Sequence, residues 1–188
     1  MSEAAQSFIA HLVKLKESDR GALSHLKRSL GFAPGAYPKA YPYVERFVGA
    51  DRHAQDPWRL ALYLTAGLFA LHPCHQTGMS VASAWGSLGK QRQSDSIEKR
   101  FIAFLGADAQ SLPVLLRQAT SLLSADNLAC DFAALQDDLA RWFNPHAHDQ
   151  QDTLRQKWAR DFYRAYDPAP ETTFPPKPLT GVQNEFVY

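Results

Sequence analysis

"LALYLTAGLFAL", residues 60–71, is the longest apolar stretch of the chain and carries no charge. It is too short to cross a bilayer, which takes about 20 apolar residues. Read from Pro57 to His72, "PWRLALYLTAGLFALH", it is apolar on nearly all sides, as a central core helix is. Asp56-Pro57 gives that helix its start, because proline suits the first helical position. A helix with no polar face has to be enclosed by others. The fold therefore turns on what surrounds residues 57–72.

On either side the period is helical, and no segment competes as a strand. Phe8, Leu12 and Leu15 make one stripe at i, i+4, i+7 within residues 3–17. Asp19 is placed to cap a second helix, oriented by Leu23, Leu26 and Leu30 and ended by Gly31. Pro34, Pro38 and Pro42 predict a loop over 31–56 with at most one short helix near "YVERFVG". "HPCHQTG" breaks the central helix, and "SVASAWGSLG" predicts another with small residues for close packing. Asp95 and Glu98 have capping-box spacing before "IEKRFIAFL". Ser111 reads as the cap of "SLPVLLRQATSLL", while "DFAALQDDLARWF" and "TLRQKWARDFYRAY" complete the set. The expected architecture is all-α. It is a helical bundle of two packed lobes, 1–89 and 90–166, joined near residues 88–95, with a proline-rich tail over 167–188 that is extended or disordered.

The chain has 188 residues, 45% hydrophobic and 21% charged, a balance that supports a sizeable core. Two cysteines, Cys74 and Cys130, are too few for a disulfide framework and suit a reducing cytoplasm. "MSEAAQSFIAHLVK" has none of the organisation of a signal peptide, so a soluble cytoplasmic protein without membrane contact is expected. Net charge is +1, so any contact with nucleic acid has to come from local clustering of lysine and arginine.

Helical geometry, at about 100° per residue, places those cations. Against the leucines of residues 20–30, Arg28 lies opposite the core, and Arg20, Ser24 and Lys27 fill one flank. Lys99 points outward from residues 95–105 with Arg100 beside it, and Arg117 lies far from its leucines. In the last helix Leu154, Trp158, Phe162 and Ala165 face the core, and Lys157, Arg160 and Arg164 form a basic ridge. Arg141 faces away from the core of the preceding helix. Asp126, Asp131, Asp137 and Asp138 gather in one stretch, so charge is segregated along the sequence. Basic ridges suit phosphate, because lysine and arginine displace counterions without reading bases. Solvated helix faces carry the same residues.

Other chemistry is weakly represented. His72, Cys74 and His75, and His146, His148 and Asp149, are zinc-compatible types without a second pair at finger-like spacing. Phosphate-loop, GxSxG and HExxH motifs are missing, and Cys130 has no base nearby in sequence. No catalytic residue, metal site or cofactor is expected. Trp58, Tyr63, Trp142, Trp158 and Phe162 lie at core spacing, whereas Tyr37, Tyr41 and Tyr43 in the loop stay open as stacking residues.

"LKESDRGALSHLKRSLG", "LALYLTAGLFALHP", "SIEKRFIAFLGADAQSLPVLLRQATSLL" and "WARDFY" follow one another in this order. Together they resemble the CasB family, the small subunit of the type I-E CRISPR surveillance complex Cascade, over about residues 8–164. The resemblance implies an all-α, non-enzymatic protein present in two copies. It implies contact with the Cascade backbone and large subunits, the guide RNA, and target DNA including the displaced strand. By motif it points to Lys27 and Arg28, Lys99 and Arg100, Arg117, and with them Arg20 as nucleic-acid contacts. Arg141, Arg160 and Arg164 rest on the helical wheel instead. The family often has arginine at Lys27 and Lys99, and lysine lacks the bidentate phosphate fork. Two other readings stand beside this one. One is a helical scaffold whose basic faces dock acidic proteins, and the other is a metal-dependent hydrolase built on the histidine clusters.

Overall fold

The computed structural model describes residues 1–167, so the tail expected from Pro168 onward lies outside the described residues. Those described form nine α-helices and no strand: α1 Glu3–Ser18, α2 Arg20–Ser29, α3 Tyr41–Val44, α4 Pro57–Leu71, α5 Val81–Arg92, α6 Asp95–Leu105, α7 Leu112–Ala125, α8 Phe132–Trp142 and α9 His148–Tyr166. Short 3-10 turns at Pro38–Ala40 and Glu45–Phe47 flank α3.

Helix α4 is the axis. Every residue from Ala61 to Ala70 is buried, and α2, α7 and α8 all pack against it. Asp56 caps it by accepting from the backbone N–H groups of Trp58 and Arg59 at 2.9 and 3.2 Å, with Pro57 in the first turn. Asp19 likewise caps α2, accepting from Ala22 N–H at 2.9 Å. Two expected caps are corrected. Asp95 and Glu98 form no capping box, since α6 follows Ser94 with no side-chain cap. Ser111 precedes α7 without capping it, because its hydroxyl donates to Asp108 Oδ1 at 2.6 Å. Asp108 is the residue that fastens this turn, also accepting from Ser111 N–H at 2.7 Å.

The hydrophobic core is continuous from Ala5 to Phe162 and passes through the junction at 88–95 by way of Leu88 and Ile97. Across it α5 lies along α9, and α8 touches α1, α4 and α9. The expected core aromatics build this half of the molecule. Phe101 stacks on Phe162 at 3.9 Å, and Trp158 lies between Trp142 and Phe104 at 5.1 and 4.9 Å. Trp58 is only partly buried and donates from Nε1 to Phe47 O at 3.2 Å.

The proline-rich loop is held by a polar clamp. Arg59 Nη2 meets Glu45 Oε1 at 2.8 Å, Tyr63 donates its hydroxyl to the same oxygen, and Arg59 Nη1 donates to Ala54 O at 3.2 Å. The guanidinium sits 4.8 Å from the Tyr63 ring centre. Gly35, at φ +81°, lets the loop pass there, since a Cβ would fall 2.3 Å from Arg59 Nη1.

Close approach of α5 and α9 depends on Gly86, where a Cβ would lie 2.3 Å from the Phe162 carbonyl oxygen. That neighbour is helix backbone and cannot swing aside. Gly86→Ala should therefore lower stability by about 1–3 kcal/mol through overpacking, despite alanine's better helix propensity. Gly106→Ala, with its nearest neighbour at 3.7 Å, should change little. Urea unfolding of the two variants checks this, and equal midpoints would refute the packing argument.

Candidate nucleic-acid interface

Apolar stripes turn inward around α4, so the opposite faces of the same helices carry the cations outward. Arg20, Lys27, Arg28, Lys99, Arg100, Arg117, Arg141, Arg160 and Arg164 are all exposed. Among the described residues Arg141 is the one of these nine that has an acidic partner within 4 Å. The other eight have no acidic partner within that distance among the described residues.

Packing sorts eight of the nine into groups. Helices α2 and α7 both lie against α4, the first bearing Arg20, Lys27 and Arg28 and the second Arg117. Helix α6, bearing Lys99 and Arg100, packs on α5, α7 and α9, the last bearing Arg160 and Arg164. Tyr163 donates its hydroxyl to Glu98 at 2.9 Å, fastening α9 to α6 between the two pairs of cations.

The structure shows how the segregated acids are used. Asp126 receives two hydrogen bonds from Arg92, both 2.7 Å. Asp131 is buried as the cap of α8 and also accepts from Gly78 N–H at 2.7 Å. Asp137 accepts from Ser2 N–H and the Ser2 hydroxyl, both at 2.6 Å. Asp138 is buried between α8 and α9. These carboxylates tie segments together, so no open acidic patch formed by them opposes the basic faces.

Asp138 also corrects two of the cations. Its Oδ2 accepts from Trp158 Nε1 at 2.8 Å and faces Lys157 Nζ at 3.4 Å, while Oδ1 faces Arg141 Nη1 at 3.2 Å. Lys157 meets Asp161 as well, at 3.4 Å. The α9 ridge is thereby reduced to Arg160 and Arg164, and Arg141 is partly neutralised. A buried partner one turn away on the same helix is invisible to a wheel that scores only exposure.

The two histidines of the first zinc-compatible cluster are engaged structurally. His72 is buried with Nε2 2.7 Å from Leu128 O, and His75 Nδ1 accepts from Phe132 N–H at 3.2 Å. His75 and Cys130 pair as a single bridge between two loops. Burial pushes the Cys130 thiol up to about 12, far from a reactive thiolate at neutral pH. Tyr37, Tyr41 and Tyr43 are partly buried against the core. Tyr41 donates to Gly35 O at 3.0 Å, and Tyr37 stacks on Phe32 at 4.9 Å. Phe32 was missed in the sequence. Its only signal is its place just beyond Gly31, off the leucine stripe of α2.

Burial pushes the Asp138 carboxyl above its ordinary range, opposed by Lys157, Trp158 and Arg141. A carboxyl raised in the folded state favours folding most when protonated, so its contribution falls as pH rises through the folded value. Asp138→Asn keeps an acceptor for Trp158 and does not titrate. Its cost in stability should shrink between pH 4 and pH 7, as urea unfolding across that range would measure. A cost that grows with pH would mean that the ion pairs outweigh burial.

Comparison with known proteins agrees with this reading of the fold. The family model for CRISPR-associated protein Cse2 matches residues 22–163. A curated CRISPR-associated protein Cse2 from Thermus thermophilus is 44% identical over 145 residues, 77% of this chain and 79% of that protein. The crystal structure of CasB from Thermus thermophilus superposes with a TM-score of 0.72 at 40% identity, covering 87% of this chain and 99% of that one. A chain of a CRISPR RNA-guided surveillance complex superposes with a TM-score of 0.72 at 20% identity, covering 87% and 94%, which speaks for the fold alone. The protein is a member of the CRISPR-associated Cse2 family, which is also called CasB.

Proposed function

We propose that this chain is a non-catalytic small subunit of a Cascade-type, RNA-guided complex in the cytoplasm, where it grips nucleic-acid backbone and stabilises the R-loop between guide RNA and target DNA. The observation that carries the reading is the set of eight exposed cations without acidic partners among the described residues, set on the outer faces of helices whose inner faces make the core. Membership of the Cse2 family supports the assignment to CRISPR defence. In the full assembly the chain meets the backbone and large subunits and a second copy of itself, and its basic faces meet guide RNA and target DNA, including the displaced strand.

Physical chemistry favours phosphate as the partner. Guide–target pairing reads the sequence in such complexes, leaving the protein to recognise backbone shape and charge. Exchange of a DNA duplex for an RNA–DNA heteroduplex is nearly balanced in free energy, so a few backbone contacts can tip it. Arg28, Arg100 and Arg117 offer a planar fork to phosphate, whereas Lys27 and Lys99 act as point charges. Among the described residues no helix is long and apolar enough to cross a membrane. A protein that engages backbone in this way needs neither nucleophile nor metal.

Replacing Lys27, Arg28, Lys99, Arg100 and Arg117 together by alanine tests the proposal. All five are exposed, so helix content by circular dichroism and assembly with the other subunits should survive. Target-DNA binding should weaken, and its salt slope should fall by about 0.7–0.9 for each phosphate no longer engaged. Alanine at the exposed Lys14, Lys16, Arg46, Arg52 and Lys90 should do much less. Equal weakening by both sets would mean that diffuse charge alone matters. Failure of assembly with DNA binding intact would favour docking onto acidic proteins instead.

A further inference from the structure

We infer that the cleft between the end of α2 and the start of α7 receives an unpaired nucleobase of a single strand. This rests on the backbone-binding reading above and extends it from phosphate to base. The cleft encloses about 660 Å³ and is lined by Phe32, Tyr63, Val114 and Phe143, with Gln55 and Gln110 among its polar residues. That volume falls within the range of about 300–1,000 Å³ typical of small-ligand clefts.

Two features of this cleft are unusual for a packed helical protein. Phe32 and Val114 are 51% and 58% exposed, although both are apolar and both line it. Phe32 is also held in place, since Tyr37 stacks on its ring at 4.9 Å with a 26° tilt. The arrangement is a buttressed aromatic at the edge of an open apolar recess. Bases of any identity stack on such a ring, because every base has a π face.

Charge selects nucleic acid over an apolar protein segment. Lys27 and Arg28 lie within the last turn of α2, directly before the residues that lead to Phe32. Arg117 stands three residues after Val114 on α7 and so shares its face. None of the residues lining the cleft is charged, and the cations nearest to it in sequence stand on two different helices, exposed and without acidic partners among the described residues. Asp108, the acid beside this part of α7, is turned to its own loop, accepting from the N–H groups of Gln110 and Ser111 at 3.1 and 2.7 Å. A strand crossing from α2 to α7 would set phosphates against Arg28 and Arg117 with a base between them at Phe32.

The test uses the full chain and two labelled single strands of equal length, oligothymidine and an abasic strand with the same phosphates, compared by fluorescence anisotropy at several salt concentrations. Wild-type protein should prefer oligothymidine by about 5-fold or more, the scale of base–aromatic stacking. Phe32→Ala and Phe32→Leu should abolish that preference and leave the salt slope unchanged. Phe32→Trp should keep it, with new indole fluorescence that oligothymidine quenches and the abasic strand does not. Phe32 is half exposed, so thermal unfolding of the variants should match wild type. Equal, salt-dependent binding of the two strands by wild type would overturn the base pocket while leaving the backbone reading standing. Failure to bind either strand would overturn both. A base preference indifferent to Phe32, with self-association or subunit assembly abolished instead, would give the cleft to a protein partner and overturn the proposal.

Discussion

Burial of α4 from Ala61 to Ala70 is the constraint from which the rest of the structure follows. Ten consecutive residues, Ala61 to Ala70, are sealed from solvent, so the helix has to be enclosed on every side. Burying apolar area at about 25 cal/mol per Å² makes that enclosure strongly favourable. The surrounding helices satisfy it by presenting one apolar stripe each: Leu26 from α2, Leu116 and Leu123 from α7, Leu135 and Leu139 from α8. Helices α2 and α7 bury one such stripe and turn their polar faces outward, whereas α8 is packed on α1, α4 and α9. The exposed cations are therefore a direct geometric consequence of the core.

What distinguishes this surface from an ordinary solvated one is the fate of the acids. Nineteen acidic and twenty basic residues would nearly cancel if they intermingled. Several aspartates are instead used inside the fold, where Asp19, Asp56 and Asp131 cap helices and Asp138 joins α8 to α9. Capping and buried hydrogen bonding draw negative charge inward, and α2, α6 and α7 keep on their outer faces cations without acidic partners among the described residues. A chain that is close to neutral as a whole thereby gains locally positive surfaces.

Much of this was legible in the sequence. The all-round apolarity of residues 57–72, the leucine spacing and the aspartate–proline start of α4 all depend on local periodicity, and local periodicity is what a sequence records. The outward position of the eight cations that lack acidic partners among the described residues was legible for the same reason. Partnerships across the fold were not. That Asp138 would hold Arg141 and Lys157 depended on α9 lying beside α8, and on Trp158 directing its N–H into the same carboxylate. Ser111 looked like a cap, but Asp108 three residues earlier outcompetes it with an ionised acceptor. The cleft brings Phe32 beside Val114 from positions 82 residues apart, and no window of sequence contains both.

The same architecture links core and proposed function. Rigid helices fix cations at set spacings, which suits a regular phosphate backbone better than flexible loops would, because less side-chain and backbone freedom is given up on binding. Lys27 and Lys99 allow the claim to be tested residue by residue. Amine-reactive labelling of the assembled complex, with and without target DNA and read by mass spectrometry, reports each lysine separately. The account predicts that target DNA shields Lys27 and Lys99 while the exposed Lys14 and Lys90 keep their reactivity. Unchanged labelling of Lys27 and Lys99, or equal shielding of all four lysines, would contradict it.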